Sequence, residues 1–290
     1  MKCYLFYDIF IYRNDIYLER YSILNNKKPK YPIKVLINTF NILNYFIKKD
    51  KPVALTELSE KLNIYPSAVH RILDTLRYLN YVDQLSGSEK YQLGLKSLEL
   101  GMAKLSQTDL IKEVMPFLNE ISRKYNENVY LGVLFENMVL YLAKKETPRK
   151  IRVVTHLGAR AYFNCTALGK VLMAFIPKDE REKIYKNIGF PRFTKNSITN
   201  KKQFEEEIKK VKRQGFAIDS EESEKDIQCI AIPIRDYSTH VIAALSISGP
   251  SYRFNVKKQI NLKNEIIEYG QKISKSLGCK EEKLINITSN

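Results

Sequence analysis

The stretch "LNIYPSAVHRILDTL", residues 62–76, decides the fold of the N-terminal part of this chain. Val69, Ile72, Leu73 and Leu76 recur at i, i+3, i+4 and i+7, the spacing of a helix with one buried face. The opposite face gathers Ser67, Ala68, His70 and Arg71 into the first turns. Tyr65 stands just before, and Pro66 suits the first turn of a helix. Upstream, Leu58 and Leu62 mark a shorter helix; Thr56 is expected to cap it, with Glu57 at the positive end of its dipole. Before that, "IKVLINTFNILNYFIKKD" carries a wide apolar stripe of Val35, Ile37, Phe40, Ile42, Leu43, Phe46 and Ile47. Downstream, the strand-like runs Tyr81–Leu85 and Lys90–Leu93 flank Ser86, Gly87 and Ser88. Helix, helix, short turn, helix, hairpin is the order of a winged helix-turn-helix.

A helix N-terminus presented to the major groove needs short polar and basic side chains that reach base edges and phosphates. Ser67 and Ala68 allow close approach, and Ala68 can meet a thymine methyl. His70 and Arg71 reach phosphate or base acceptors. Tyr65 and Thr56 are phosphate donors, and Ser88 and Lys90 on the hairpin reach the backbone or the minor groove. A plainer reading pairs Arg71 with Asp74 and leaves His70 merely solvated.

The 290 residues suffice for two domains, and 44% hydrophobic content marks a globular chain. A net charge of +16 favours a polyanionic partner, although a base-composition bias toward Lys, Asn, Ile and Tyr gives the same excess. The four cysteines form no CxxC pair and the three histidines no paired-ligand pattern, so neither a metal site nor a disulfide scaffold is expected. No apolar run spans a membrane, and a cytoplasmic protein without a cofactor is the expectation. The first 20 residues imitate a signal peptide, but Asp8, Arg13 and Asp15 interrupt them; residues 1–30 are read as an extension of unknown role.

After residue 94 the pattern changes. "GLKSLELGMAKLSQTDL" reads as a helical connector with Leu95, Leu98, Met102 and Leu105 on one side. The next helix contains Pro116, where a kink or fresh start is expected. "VYLGVLF" and "MVLYLAKK" flank "EN" as a hairpin, "IRVVTHLGARAYFN" reads as strand plus loop, and "TALGKVLMAFI" as a buried helix. "GFAIDSEESEKDIQCIAIPIRD" and "VIAALSISGP" read as antiparallel strands with an acidic loop, and a last helix closes the chain. This half is α+β with an antiparallel sheet. The start of the buried helix at Thr166–Gly169 offers backbone N–H groups to an anion. Ser246 and Ser248 share one face of their strand; alone, they also suit an outward face, and Cys165 and Cys229 suit small buried apolar positions.

The segments "LTELSEKLNIYPSAVHRILDTLRYLNYV", "CTALGK", "GFAIDSEE", "CIAIPI" and "ALSISGP" occur in the order of the IclR family of bacterial transcription regulators, which the chain resembles over about residues 33–280. The resemblance implies an N-terminal winged helix over residues 31–94, a linker helix over 95–108, and a GAF-like effector-binding and oligomerisation domain over 109–290. It also implies a homodimer or homotetramer on double-stranded, palindromic operator DNA, responsive to a small carboxylate or sugar acid. Carried over to this chain, the effector pocket is lined by Ala167, Leu168, Asp219, Cys229, Ser246 and Ser248, while Cys165 is assigned packing only. The expected function is a sequence-specific regulator, a repressor of a catabolic operon, that is not an enzyme and uses no membrane. Two alternatives remain: a ligand-independent DNA-binding protein whose C-terminal half only oligomerises, and a Cys or Ser hydrolase. The hydrolase needs a nucleophile, a base and an orienting group in contact, and only His156 and His240 are available in that half.

Overall fold

A computed structural model describes residues 30–49, 51–106, 109–254 and 256–280. Apart from Lys30, the N-terminal extension read over residues 1–30 lies outside these. The chain divides into two compact units, one of residues 25–108 and one from residue 109 onward.

In the first unit, helices α1 (Lys34–Ile47), α2 (Leu55–Leu62) and α3 (Pro66–Tyr78) surround a core of Ile42, Phe46, Leu58, Val69, Ile72, Leu73 and Leu76. Strands β1 (Val53–Ala54), β2 (Val82–Gln84) and β3 (Lys90–Leu93) form an antiparallel sheet in the order β1-β3-β2. Val53, Val82 and Tyr91 close the core from this sheet. The turn between α2 and α3 is short because Asn63 adopts φ +52°, which Asn tolerates in the left-handed region. Tyr45 of α1 donates to Glu57 at 2.8 Å, and Lys49 pairs with the same carboxylate, tying α1 to α2. Helix α4 (Leu95–Ser106) follows β3.

Three expectations need correction here. Thr56 is not the N-cap: α2 begins two residues earlier than that cap implies, Ala54 takes the position, and Thr56 lies exposed in the first turn. The stripe of α1 is not all core: Ile42 and Phe46 are buried, but Val35, Ile37, Phe40 and Ile47 are exposed. The winged helix fills its interior with one narrow strip of that helix. Arg71 does not pair with Asp74, which instead bonds Arg77 at 2.9 Å.

In the second unit, helix α5 (Asp109–Tyr125) runs without a break through Pro116, and the residues around the proline keep helical geometry. A six-stranded antiparallel sheet follows, in the order β6-β5-β4-β9-β8-β7. Its strands are β4 (Asn128–Phe135), β5 (Met138–Lys145), β6 (Arg160–Ala161), β7 (Ala217–Ser220), β8 (Ile227–Arg235) and β9 (Val241–Pro250). Glu136 and Asn137 join β4 to β5 with φ of +46° and +67°, as a tight two-residue hairpin requires. Residues 151–155, expected as a strand, form an open strap instead; only Arg160 and Ala161 pair with the sheet edge.

Period-two alternation separates the faces of this sheet. Val129, Leu131, Val133, Ile230, Ile232, Leu245 and Ile247 pack against α5 and helix α9 (Val256–Ser276). The other face meets α6 (Ala167–Phe175) and α8 (Lys201–Gln214), with α7 (Lys178–Ile188) beyond them. Helix α6 is buried along almost its whole length, and Gly169 explains how it fits. A Cβ there would lie 2.4 Å from the Phe163 backbone, so only glycine permits the approach.

Candidate functional site

In the first unit the candidate surface is the start of α3. Val69, Ile72, Leu73 and Leu76 anchor one face, so rotation by half a turn places Ser67, His70 and Arg71 in solvent. Ala68 is half-buried against the core, and Tyr65 is 84% exposed just ahead of the helix. Neither Asp74 nor Gln84 occupies Arg71, because both bond Arg77. The guanidinium of Arg71 is thus available to an outside acceptor. Ser88 has a local role as well: its hydroxyl accepts the Lys90 N–H at 3.0 Å and shapes the hairpin tip, leaving the Lys90 side chain exposed.

In the second unit, sheet register brings polar side chains into two neighbouring rows on the α6 face. One row runs Asp219, Cys229, Ser248, Asn128 across β7, β8, β9 and β4; the next runs Ala217, Ala231, Ser246, Tyr130. Helix α6 lies over β4, β8 and β9, and Leu168 packs onto the sheet beside Gly132. The Thr166 hydroxyl accepts the Gly169 N–H at 3.1 Å and caps α6. The first N–H groups of a helix, here at Ala167 and Leu168, have no intrahelical acceptor. Of the six residues expected as a pocket, Asp219, Cys229, Ser246 and Ser248 therefore share the sheet face that α6 covers, and Ala167 and Leu168 begin that helix.

Asn128 and Tyr130 were not singled out from the sequence, yet they complete the rows. The Tyr130 hydroxyl donates to the Val153 carbonyl at 2.8 Å, and Asn128 donates to the same oxygen. Asn128 also accepts the Thr147 N–H at 2.7 Å. Tyr130 packs edge-on against Tyr141, with ring centroids 5.4 Å apart. The polar residues two apart at the start of β4, Asn128 and Tyr130, were the available signal.

Burial governs the electrostatics. It pushes the Cys165 thiol up to about 12, with the nearby Asp219 charge acting in the same sense. Burial and then Asp219 also hold Cys229 well above its ordinary value. Burial raises Asp219 itself, opposed by hydrogen bonds from Ser223 and the Glu222 backbone. That carboxylate accepts the Glu222 N–H at 2.8 Å and the Ser223 hydroxyl at 2.6 Å, fixing the acidic loop between β7 and β8. Asp219 thus frames the site through its loop. Lys170, 1% exposed, donates to Glu222 at 2.6 Å and to the Ile218 carbonyl at 2.8 Å.

Asp236, Ser238 and His240 cluster at the β8–β9 turn, where the Ser238 hydroxyl lies 2.6 Å from Asp236 and 2.7 Å from Nδ1 of His240. The carboxylate binds the serine and two turn N–H groups, so it does not orient the imidazole as a hydrolase requires. His156 is exposed on the strap.

Comparison with known proteins bears on both units. Residues 102–275 match the family described as bacterial transcriptional regulator IclR C-terminal, and residues 35–86 match the IclR helix-turn-helix domain. The HTH-type transcriptional regulator KdgR of Escherichia coli (strain K12) is 34% identical over 246 residues, covering 85% of this chain and 93% of that protein. The crystal structure of Thermotoga maritima IclR superposes with a TM-score of 0.67 at 28% identity, covering 84% of this chain and 99% of the other. An IclR homolog from Microbacterium hydrocarbonoxydans, crystallised in complex with 4-hydroxybenzoate, has a TM-score of 0.72 at 21% identity, covering 84% and 98%. This last likeness is one of fold.

Proposed function

The chain belongs to the IclR family of bacterial transcriptional regulators, and from that premise we propose how its residues carry out regulation. It binds operator DNA sequence-specifically through α3, and a small molecule in the second unit changes its operator affinity. The observation that carries this reading is α3 itself. Its apolar face is consumed by the core while Ser67, His70 and Arg71 stand exposed behind Tyr65. Such a helix start can enter a major groove, with Thr56, Ser88 and Lys90 serving the backbone on either side.

The effector site is the two-row polar floor beneath α6. Neutral hydroxyls at Ser246, Ser248 and Tyr130, together with the N–H groups at Ala167 and Leu168, suit a carboxylate or a polyhydroxylated acid. Cys229 and Tyr141 supply softer walls, and Asp219 holds the rim loop. The relative bound to 4-hydroxybenzoate supports a small organic acid as the class. Linkage then requires that the ligand prefer one arrangement of the assembled protein; operator affinity changes by the same coupling energy.

The protein acts as a homodimer or tetramer in the cytoplasm, repressing a catabolic operon, and performs no catalysis. Exposed Val35, Ile37 and Phe40 on α1 favour a partner copy there, and paired α3 helices meet half-sites about 34 Å apart. Selection from a random DNA pool tests the DNA reading: the wild-type chain enriches one two-fold symmetric sequence, and no enrichment refutes it. A thermal-shift series with pyruvate, D-gluconate and 4-hydroxybenzoate tests the site. Ser246→Ala with Ser248→Ala abolishes the stabilisation that wild type shows but leaves DNA binding intact; an unaltered ligand response removes the serines from the site.

A further inference from the structure

The strap of residues 147–157 runs between β5 and β6, and its attachment is unusual for a surface loop. Few of its side chains hold it down: Ile151, Val154 and Leu157 are 66%, 59% and 50% exposed. Its backbone carbonyls hold it instead. Arg253, fixed by Glu127 at 2.5 and 2.7 Å, donates to the Ile151 carbonyl at 3.0 Å. Tyr130 and Asn128 donate to the Val153 carbonyl, and Lys144 donates to the Thr155 carbonyl at 3.1 Å. Alternate carbonyls are thus clasped, one of them from inside.

The inner clasp is made by groups of the polar floor. Tyr130 lies opposite Ser246 and Asn128 opposite Ser248 in the β4–β9 register, with Cys229 next in the Asn128 row. We propose that the strap is a gate over the effector site, latched from within by Tyr130 and Asn128 and elsewhere by Arg253 and Lys144. The proposal rests on the reading of that floor as the effector site. Because the strap buries little apolar surface, its closed state depends on a few hydrogen bonds. Each contributes modestly, so removing one shifts the opening equilibrium several-fold without unfolding the unit. The latch also couples gate and site: an acceptor group entering beside Ser246 draws on the donors that hold Val153.

Thiol labelling of the full-length protein tests the gate without any effector. Cys229 is half-buried and stands in the Asn128 row of the floor, next to Ser248, whereas Cys279 follows α9 and is buried outside that row. Labelling with a maleimide, resolved by peptide mass mapping, gives a rate for each. Tyr130→Phe, which keeps the ring and removes the donor, is expected to speed Cys229 labelling by about tenfold while Cys279 is unchanged. Lys144→Met, beside Tyr130 on β5 and bonded to a different strap carbonyl, is expected to speed it by about threefold. Unchanged Cys229 rates in both variants overturn the gate, as does an equal acceleration of Cys279, which signals general loosening. Failure here leaves the effector site standing, and a ligand series without response leaves the latch standing.

Discussion

Asp219 shows how one residue can frame a site through a loop. Its carboxylate is buried and receives the Glu222 N–H and the Ser223 hydroxyl, so the turn from β7 to β8 hangs from it. Burial raises its pKa from the ordinary 3.8 in spite of those bonds. From about pH 4 up to the raised value, the folded chain keeps a proton that the unfolded chain has released. The stability contributed here therefore falls as pH rises through that window. Asp219→Asn, neutral throughout, is expected to flatten this part of the urea-midpoint profile between pH 4 and 7; parallel profiles for the two proteins contradict it. At this scale the sequence is uneven. The shared face of Ser246 and Ser248 follows from their spacing, but the place of Asn128 and Tyr130 depends on β4 pairing with β9. Local pattern carries no record of so distant a pairing. Thr56 fails differently: the helix follows directly on β1, so its start lies two residues before the one the capping pattern suggests.

Helix α6 is the element on which the second unit turns. "TALGKVLMAFI" reads plainly as a buried helix, and a lysine within it announces a buried charge without naming its partner. The structure supplies Glu222 at 2.6 Å, with Glu207 at 3.7 Å. Burial raises Glu222 and the Lys170 charge opposes that rise. Removing one partner of such a pair strands the other charge, at a cost of about 3–5 kcal/mol. Lys170→Met is expected to lower unfolding free energy by about that much, and adding Glu222→Gln to recover part of it. A loss below about 1 kcal/mol in urea denaturation contradicts the pair's role. Residues 151–155 mislead for a related reason. "IRVVT" has strand propensity, but propensity reports fitness for a half-buried pleated surface, and the sheet edge accepts only two residues further on.

At the scale of the whole molecule, the charge of +16 is a poor guide to function. Lysines and arginines are spread along both units rather than gathered in the winged helix. DNA recognition therefore rests on a few positioned groups. Fold class and two-part organisation were legible because the winged helix and the antiparallel half each repeat their periodicity over many residues. The exposed stripe of α1 was legible as apolar, but that it stays uncovered among the described residues was not. Phe40 is 61% exposed on that stripe. Phe40→Glu is expected to shift sedimentation toward the monomer and to weaken operator binding at least tenfold, since one α3 is then left alone. An unchanged sedimentation coefficient places the partner surface elsewhere.

The most direct measurement is the affinity of Arg71→Ala for a duplex selected by the wild-type chain, taken by fluorescence anisotropy over a range of salt. Removing one groove or phosphate interaction per α3 raises Kd by about tenfold or more and lowers the salt slope by about one unit for each phosphate no longer neutralised. Thermal stability should not change, because the side chain is exposed. An unaltered Kd and slope would mean that the start of α3 does not touch DNA.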